Sequence, residues 1–254
     1  MAGETDELTR RGAEDSPRAR RGERRAAARR LSRAEAIYLV ALAAFAVLAL
    51  FARAYAYFSW DLEVTRALQR LPVPGLLAFM RAASIFADTW HGWALSAVAF
   101  LIFFVRRRRT EACALVFSVG GGELIDRLIK SLVGRPRPVP ALVHVSGEWA
   151  HESFPSGHVT FYVCFFGFLF FAAYALLRRG TSLRRALLAL AALPVAIIGF
   201  SRVYLGAHWA SDVLGAYLLS GLWLALTLHL YRCWKARSTF HRDELKETGG
   251  DERA

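Results

Sequence analysis

Residues 157–177, GHVTFYVCFFGFLFFAAYALL, decide the fold class of this chain. The stretch is 21 residues long and contains no Asp, Glu, Lys or Arg. Because a helix that crosses a membrane needs about 17–25 mostly apolar residues, the stretch predicts a transmembrane span. Five further stretches are candidate spans, of which the second has the shortest apolar core: 35–57, 84–105, 110–132, 186–203 and 210–231. We therefore predict an all-α integral membrane six-helix bundle.

The composition agrees with a membrane protein. Of 254 residues, 55% are hydrophobic and 21% are charged, whereas a soluble domain has about 45–50% and about 25%. Polar residues are concentrated at the two ends of the chain, which excludes a simple soluble globular protein, a disordered chain and a collagen-like fibre. The predicted organisation has three parts: a disordered, arginine-rich cytoplasmic tail (1–34), a six-helix membrane domain (35–232) and a polar cytoplasmic tail (233–254).

The distribution of basic residues predicts the orientation in the membrane. The formal net charge is +12, and the basic stretches flank apolar runs, which favours membrane lipids over nucleic acid as partners. Arginines at 106–109 and at 178–185 separate pairs of candidate spans. By the positive-inside rule these connections and both termini are cytoplasmic, so the 133–156 loop lies outside the cell membrane.

Five polar or small residues near the outer ends of the third to fifth spans predict an anion site. Lys130, Arg137 and Arg202 supply three cations, which suit the oxygens of a dianionic phosphate. Ser156 and Gly157 stand where the fourth span begins, and the N-terminus of a helix favours bound anions. The serine hydroxyl can cap that helix and donate to an anion, while the glycine permits close approach of the backbone.

Two histidines and a carboxylate at the same boundary predict catalysis. His208 and Asp212 are four residues apart and so share one face of a helix. This spacing allows the carboxylate to hold one ring nitrogen and leave the other as a nucleophile or base. His158 can then exchange a proton with the leaving group. The pairing with Asp212 favours His208 as the attacking histidine.

The order and spacing of these residues resemble the three-part signature of the type 2 phosphatidic acid phosphatase superfamily. The three parts are Lys130-x6-Arg137-Pro138, Pro155-Ser156-Gly157-His158 and Ser201-Arg202-x5-His208-x3-Asp212. Arg135-Pro136 offers a second Arg-Pro pair, but the spacing from the lysine selects Arg137. The resemblance covers residues from about 84 to 231.

The resemblance implies a metal-independent membrane phosphatase with six helices, no cofactor and a lipid phosphate as substrate. It implies that His208 attacks phosphorus, that Asp212 orients it and that His158 protonates the leaving oxygen. Five further motif residues would bind the phosphoryl oxygens: Lys130, Arg137, Ser156, Gly157 and Arg202. The active site would then lie at the extracytoplasmic ends of the third to sixth helices.

Several alternatives stay open from the sequence. A lipid transporter or scramblase and a catalytically silent scaffold of the same fold are the competing functions. Among substrates, undecaprenyl diphosphate is slightly favoured over phosphatidic acid or phosphatidylglycerophosphate. Asp88, His91 and Arg81 either line the lipid access route or simply lie at the interface, while Asp126 is expected to pair with Lys130 one helical turn later.

Nothing in the spacing of potential ligands predicts a metal. The cysteines (Cys113, Cys164 and Cys233) have neither zinc-type nor disulfide-type spacing, and His144 and His151 have no partners at metal-ligand spacing. No metal or cofactor is expected, and the sequence carries no signal for an oligomeric state.

Overall fold

The computed structural model describes the backbone of residues 17–150 and 152–250, and the side chains of 35–88, 90–150 and 152–237. Every regular element in these ranges is helical. The α-helices are α1 (Pro17–Ala54), α2 (Ser59–Gln69), α3 (Leu76–Ser84), α4 (Thr89–Val105), α5 (Arg109–Val133), α6 (Gly157–Leu176), α7 (Ser182–Tyr204) and α8 (Ala210–Gly250). A short 3-10 helix, Ile85–Ala87, joins α3 to α4. The all-α prediction is confirmed for this part of the chain.

Four of these helices contain a stretch long and apolar enough to cross a membrane: Glu35–Ala54, Gly157–Leu176, Ser182–Tyr204 and Ala210–Arg237. A fifth span is possible if Leu76–Ala87 and Trp90–Val105, which meet at a bend of 55°, cross together. The second predicted span, 84–105, falls in this bent pair. Four or five spans therefore follow from length and composition, where the sequence analysis predicted six.

The third predicted span corresponds to α5, which is too polar to qualify by composition. Charged side chains follow its first residue at five positions: Glu111, Glu123, Asp126, Arg127 and Lys130. Charged side chains at membrane depth are costly unless they pair or face the interior of a helix bundle. Four of them pair within α5, since Arg127 contacts Glu123 at 3.0 Å and Lys130 contacts Asp126 at 2.9 Å.

The chain divides into two units, residues 1–43 and 44–254. The described residues of the first unit form a helix from Pro17 onward. This helix begins inside the segment 1–34, for which the sequence predicts a disordered tail. Residues 1–16, like 251–254 of the C-terminal tail, lie outside the described residues. All site residues belong to the second unit.

Within the second unit, α6 packs against α5, α7 and α8. Its large apolar side chains fill two core clusters; Phe165 and Phe168 belong to one, and Val159 and Tyr162 to the other. Glycines bring α5 close to its neighbours, because a Cβ added at Gly121 would lie 2.2 Å from the ring of Trp223 on α8. This packing places the C-terminal ends of α5 and α7 beside the N-terminal ends of α6 and α8.

Candidate active site

The eight predicted site residues converge where these four helix ends meet. Lys130 lies at the end of α5, Arg202 near the end of α7, and the others on the intervening loops or on the first turns of α6 and α8. Six of them line one cavity of about 1010 Å³: Lys130, Arg137, Gly157, His158, Arg202 and His208. Ser156 and Asp212 are fully buried.

A tight turn positions His208 between α7 and α8. Gly206 has a φ of 67°, a region that favours glycine, and an added Cβ would lie 2.2 Å from the carbonyl oxygen of His144. The amide of His208 donates to the carbonyl of Arg202 at 3.3 Å. The side chain of His208 is 2% exposed, so its ring is held almost entirely by protein atoms.

The hydrogen bonds of His208 indicate which ring nitrogen carries the proton. Nδ1 lies 2.8 Å from the carbonyl oxygen of Ser153. Because a carbonyl oxygen can only accept, Nδ1 is the donor, and the lone pair of a neutral ring is on Nε2. Nε2 lies 3.2 Å from Nη1 of Arg137. Burial, together with the positive charges of Arg137 and Arg202, holds the pKa of His208 well below its usual value of 6.5. The ring is therefore neutral at neutral pH.

Asp212 lies close to His208, but it forms its hydrogen bonds with other groups. Its Oδ2 is 3.8 Å from Nδ1 of His208, beyond hydrogen-bond distance. The same oxygen accepts from Oγ of Ser153 at 2.5 Å and from the amide of Trp209 at 2.8 Å, and Oδ1 accepts from Arg135 at 2.6 Å. Contact between the carboxylate and the ring thus passes through Ser153, a residue that the sequence analysis did not identify.

His158 has a carboxylate partner from another part of the chain. Its Nε2 lies 3.0 Å from Oδ1 of Asp88, which precedes the first residue of α4. From the sequence, it stayed open whether Asp88 lines the lipid access route or lies at the interface. The available sequence signal was a lone carboxylate at the edge of an apolar stretch.

Lys130 and Gly157 lie close together at the junction of α5 and α6. Lys130 forms the predicted ion pair with Asp126 and also donates to the carbonyl of Pro155. Asp126 accepts from Thr160 at 3.1 Å, which ties the pair to α6. A Cβ at Gly157 would lie 3.2 Å from Oδ2 of Asp126, so the backbone approaches the pair closely here.

The two arginines of the motif are fixed by different neighbours. Arg137 donates to the carbonyl of Ala207 at 2.7 Å; burial lowers the pKa of its guanidinium, an effect that the carboxylate of Asp212 opposes. Arg202 donates to Oγ of Ser84 at 3.1 Å, and its Cζ lies 4.5 Å from the ring centroid of Trp149. Ser84 and Trp149 carry no signal in the sequence for this role.

Among the eight predicted site residues, two buried side-chain atoms have no hydrogen-bond partner in the described part of the chain, Oγ of Ser156 and Nε of Arg202. Ser156 is the N-cap residue of α6, yet its hydroxyl makes no cap bond, in contrast to the expectation that it caps the helix. Buried polar atoms are normally paired. Both atoms can therefore donate to an oxyanion that occupies the site.

Among the described residues, no three His, Cys, Asp or Glu side chains group at metal-binding distance. His144 is exposed and hydrogen-bonds through its backbone, whereas His151 lies outside the described residues.

Comparison with known proteins supplies relatives for this arrangement. The family model of the PAP2 superfamily matches residues 111–235. A decaprenylphosphoryl-5-phosphoribose phosphatase from Mycobacterium tuberculosis is 34% identical over 148 residues, which are 55% of this chain and 72% of the relative. Phosphatidylglycerophosphatase B from Bacillus subtilis is 32% identical over 120 residues, 46% of this chain and 56% of the relative.

A solved structure shares the fold. The crystal structure of a transmembrane PAP2-type phosphatidylglycerolphosphate phosphatase from Bacillus subtilis matches with a TM-score of 0.66. The match covers 76% of this chain and 94% of that protein, at 23% identity.

Proposed function

This chain belongs to the PAP2 superfamily and is a multi-pass membrane phosphatase of lipid phosphates, and on that premise we propose that it acts through a phosphohistidine on His208. The observation that carries the proposal is the hydrogen bond from Nδ1 of His208 to the carbonyl of Ser153. It leaves the lone pair on Nε2, and His208 lines the cavity together with Lys130, Arg137 and Arg202. A neutral imidazole with a fixed tautomer is a competent nucleophile.

The reaction has two steps that share one site. In the first, Nε2 forms a bond to phosphorus while the bond to the lipid oxygen breaks, and that oxygen takes a proton from His158. In the second, His158 accepts a proton from water as the water oxygen attacks the phosphohistidine, which releases inorganic phosphate and restores both histidines. Asp212 orients the nucleophile and stabilises the positive ring.

The phosphoryl oxygens are held by five groups in this proposal: Lys130, Arg137, Ser156, Gly157 and Arg202. The three cations neutralise a dianionic phosphate. The unpartnered Oγ of Ser156 and Nε of Arg202 gain partners when phosphate binds. Because cationic side chains supply the charge compensation, we propose that the reaction needs no metal ion.

Asp88 positions the proton donor. Its carboxylate is 3.0 Å from Nε2 of His158 and favours the protonated form of that ring, which the leaving oxygen requires. This assigns a role in the reaction to one of the residues that the sequence left open.

The shape of the cavity supports a lipid with a long hydrocarbon chain. From the site the cavity continues between α4 and α5, where its walls include Phe100, Leu115 and Val119. Leu115 precedes Lys130 by 15 residues on α5, a rise of about 22 Å along the helix. An apolar cavity of this length accommodates a lipid tail while the phosphate contacts the cations.

We propose a polyprenyl lipid as the substrate class, with undecaprenyl diphosphate slightly preferred over phosphatidic acid and phosphatidylglycerophosphate. One relative in the comparison is named for a decaprenyl lipid and another for a glycerolipid phosphate, so both classes belong in the assay. Presented at equal surface concentration in mixed micelles, the polyprenyl lipids should have the highest kcat/KM. A higher value for phosphatidic acid would reject this preference.

The proposed topology has six spans, with both tails cytoplasmic and the site at the extracytoplasmic ends of the third to sixth spans. Here α5 is the third span, and its Asp126 and Lys130 lie at the site end, where they are paired. The membrane domain comprises residues 35–232, between tails at 1–34 and 233–254. The arginines at 106–109 and 178–185 lie at the helix ends opposite the site, as the positive-inside rule requires.

The test of the mechanism separates the two histidines. His208→Ala should abolish turnover of every ester and form no phosphoenzyme. His158→Ala should lower kcat for a lipid phosphate by about 10²–10⁴, the usual contribution of general acid catalysis, but should partly spare an activated nitrophenyl ester. Turnover is measured with both esters, and phosphohistidine is trapped without acid. The same assays are repeated with chelator, in which activity should persist.

The roles are reversed if His208→Ala still forms phosphohistidine while His158→Ala is equally inactive on both esters. Loss of activity in chelator that magnesium restores would reject the metal-independent mechanism.

A further inference from the structure

A buried cluster of three charged side chains lies beside the candidate active site. Arg135 contacts Asp212 at 2.6 Å on one side and Asp61 at 2.9 Å on the other, and none of the three side chains is exposed. Burying a charge is costly unless it is paired and hydrogen-bonded. The spacing from Lys130 selects Arg137 and not Arg135 for the motif, and Asp61 lies outside the motif, so neither Arg135 nor Asp61 has a function yet.

All three nitrogens of the Arg135 guanidinium have partners. Nη1 donates to Oδ1 of Asp212 and to Oγ of Ser211, both at 2.6 Å, and Nη2 donates to Oδ2 of Asp61. Nε lies 3.2 Å from the carbonyl of Ala56. Only the planar fork of an arginine can satisfy these directions at once.

Asp61 connects this arginine to the start of α8. Its Oδ1 accepts from the amide of Ser211 at 2.8 Å, and its Oδ2 accepts from the hydroxyl of Ser211 at 2.7 Å. Ser211 immediately precedes Asp212. Asp61 therefore holds both Arg135 and the backbone that carries Asp212, although it lies on α2, before the region 111–235 that the family model matches.

The network continues from Asp212 to the nucleophile. Oδ2 of Asp212 accepts from the hydroxyl of Ser153, whose carbonyl accepts from Nδ1 of His208. If the carboxylate of Asp212 moved, Ser153 would lose this hydrogen bond. Its carbonyl would then no longer fix the tautomer of the His208 ring. The two carboxylates and one guanidinium also sum to one negative charge near a ring that becomes positive on attack.

We propose that Asp61 and Arg135 are positioning residues that hold Asp212 and, through Ser153, fix the ring of His208 for attack on phosphorus. The proposal rests on the assignment of His208 as the nucleophile. It predicts that damage to the network lowers the rate of phosphoryl transfer but not the binding of phosphate, because the cations that line the cavity are separate from it.

The principal test is Asp61→Asn, which keeps the shape of the side chain and removes its charge. We expect kcat to fall about 10–100-fold, the loss that is usual when a residue that orients a metal ligand is removed. KM should stay within about twofold of the wild-type value. In ¹⁵N-histidine spectra of the detergent-solubilised protein, the signal assigned to His208 should no longer report a single Nδ1–H tautomer.

The matched control is Thr65→Val on the same helix. The hydroxyl of Thr65 is buried and donates to the backbone carbonyl of Asp61 at 2.8 Å, so its loss perturbs α2 without touching the charged cluster. This variant should keep the wild-type kcat and the wild-type histidine spectrum. A loss of kcat in Thr65→Val equal to that in Asp61→Asn would show that α2 acts only through packing, which would overturn the proposal.

His208→Ala in the same assay separates the two levels of inference. If it is inactive while folded Asp61→Asn keeps wild-type kcat and a single tautomer, the positioning role is wrong and the nucleophile stands. If His208→Ala retains turnover, the proposed mechanism fails first. Should Asp61→Asn not fold, Arg135→Lys is measured instead; it keeps the charge but not the fork, and wild-type kcat there would equally reject the proposal.

Discussion

At the scale of single residues, the protonation of His208 decides what the site can do. The carbonyl of Ser153 accepts from Nδ1, and burial with two nearby arginines disfavours a charged ring. The neutral ring thus keeps a lone pair on Nε2, which attacks phosphorus in the proposed mechanism. Arg137 lies 3.2 Å from Nε2, so in that mechanism it would also contact the phosphoryl group.

The lowered pKa of His208 makes a prediction about pH. Because a lowered pKa means that protons bind only below the usual value of 6.5, the ring should still be neutral at pH 6.5, and activity that depends on it should fall only under more acidic conditions. A ¹⁵N-histidine titration of the purified protein measures this directly, with His208→Ala to assign the signal. Half-protonation of that signal at pH 6.5 would contradict the prediction.

Asp88 makes a second prediction at this scale. Asp88→Asn removes the charge that favours the protonated form of His158, so we expect about a tenfold loss of kcat on a lipid phosphate, smaller than the loss in His158→Ala. A nitrophenyl ester, whose leaving group needs little protonation, should be affected less.

The matched control for Asp88 is Glu148→Gln, which removes a carboxylate from another wall of the same cavity. It should leave the ratio of the two rates unchanged. Equal losses on both esters in Asp88→Asn would mean that Asp88 does not act through the proton donor.

At the scale of elements, the close packing of α5 against α6 and α8 sets the spacing of the site. The ends of α5 and α6 carry Lys130 and Gly157, and the pair Asp126–Lys130 is tied to α6 by Thr160. Any change that pushes α5 outward would also move Lys130 away from the proposed phosphate site. Glycines at the middle of α5 allow the close approach.

Gly121→Ala tests this packing. Its Cβ would lie 2.2 Å from the ring of Trp223, and overpacking of this kind costs about 1–3 kcal/mol, so the melting temperature in detergent should fall. The control is Gly120→Ala, where nothing lies within 4 Å of the added Cβ and alanine is the better helix former. A melting temperature in Gly121→Ala as high as in Gly120→Ala would show that the contact is not tight.

At the scale of the whole molecule, the alternating direction of α5 to α8 puts the motif residues at one end and the arginine clusters at the other. The connections 106–108 and 177–181 join the ends that lie away from the site. A lipid phosphatase with this arrangement would act on headgroups of the outer leaflet if those arginines are cytoplasmic.

Labelling of cysteines on intact cells tests the orientation. In a variant that lacks the three native cysteines, Val145→Cys in the loop between α5 and α6 should react with an impermeant thiol reagent. Arg179→Cys in the connection between α6 and α7 should react only after the membrane is permeabilised. The reverse pattern would place the site in the cytoplasm.

Local properties of the sequence were enough to predict the helical class, most of the apolar spans and the ion pair between Asp126 and Lys130. Hydropathy over about 20 residues and a spacing of four along a helix do not depend on the rest of the chain. The span count was harder, because the charges of α5 that lower its hydropathy are partly compensated by pairing within the helix.

Only the tertiary structure decided how the reacting groups are held. The partner of His158 lies 70 residues away, and Asp61 lies 150 residues from Ser211; no spacing rule applies over such distances. The group that fixes His208 is a backbone carbonyl, and every residue has one, so side-chain identity could not reveal it. The motif residues can be recognised in the sequence because charged and histidine side chains at fixed spacings stand out beside apolar stretches. The contacts that orient them form only once the helices have packed.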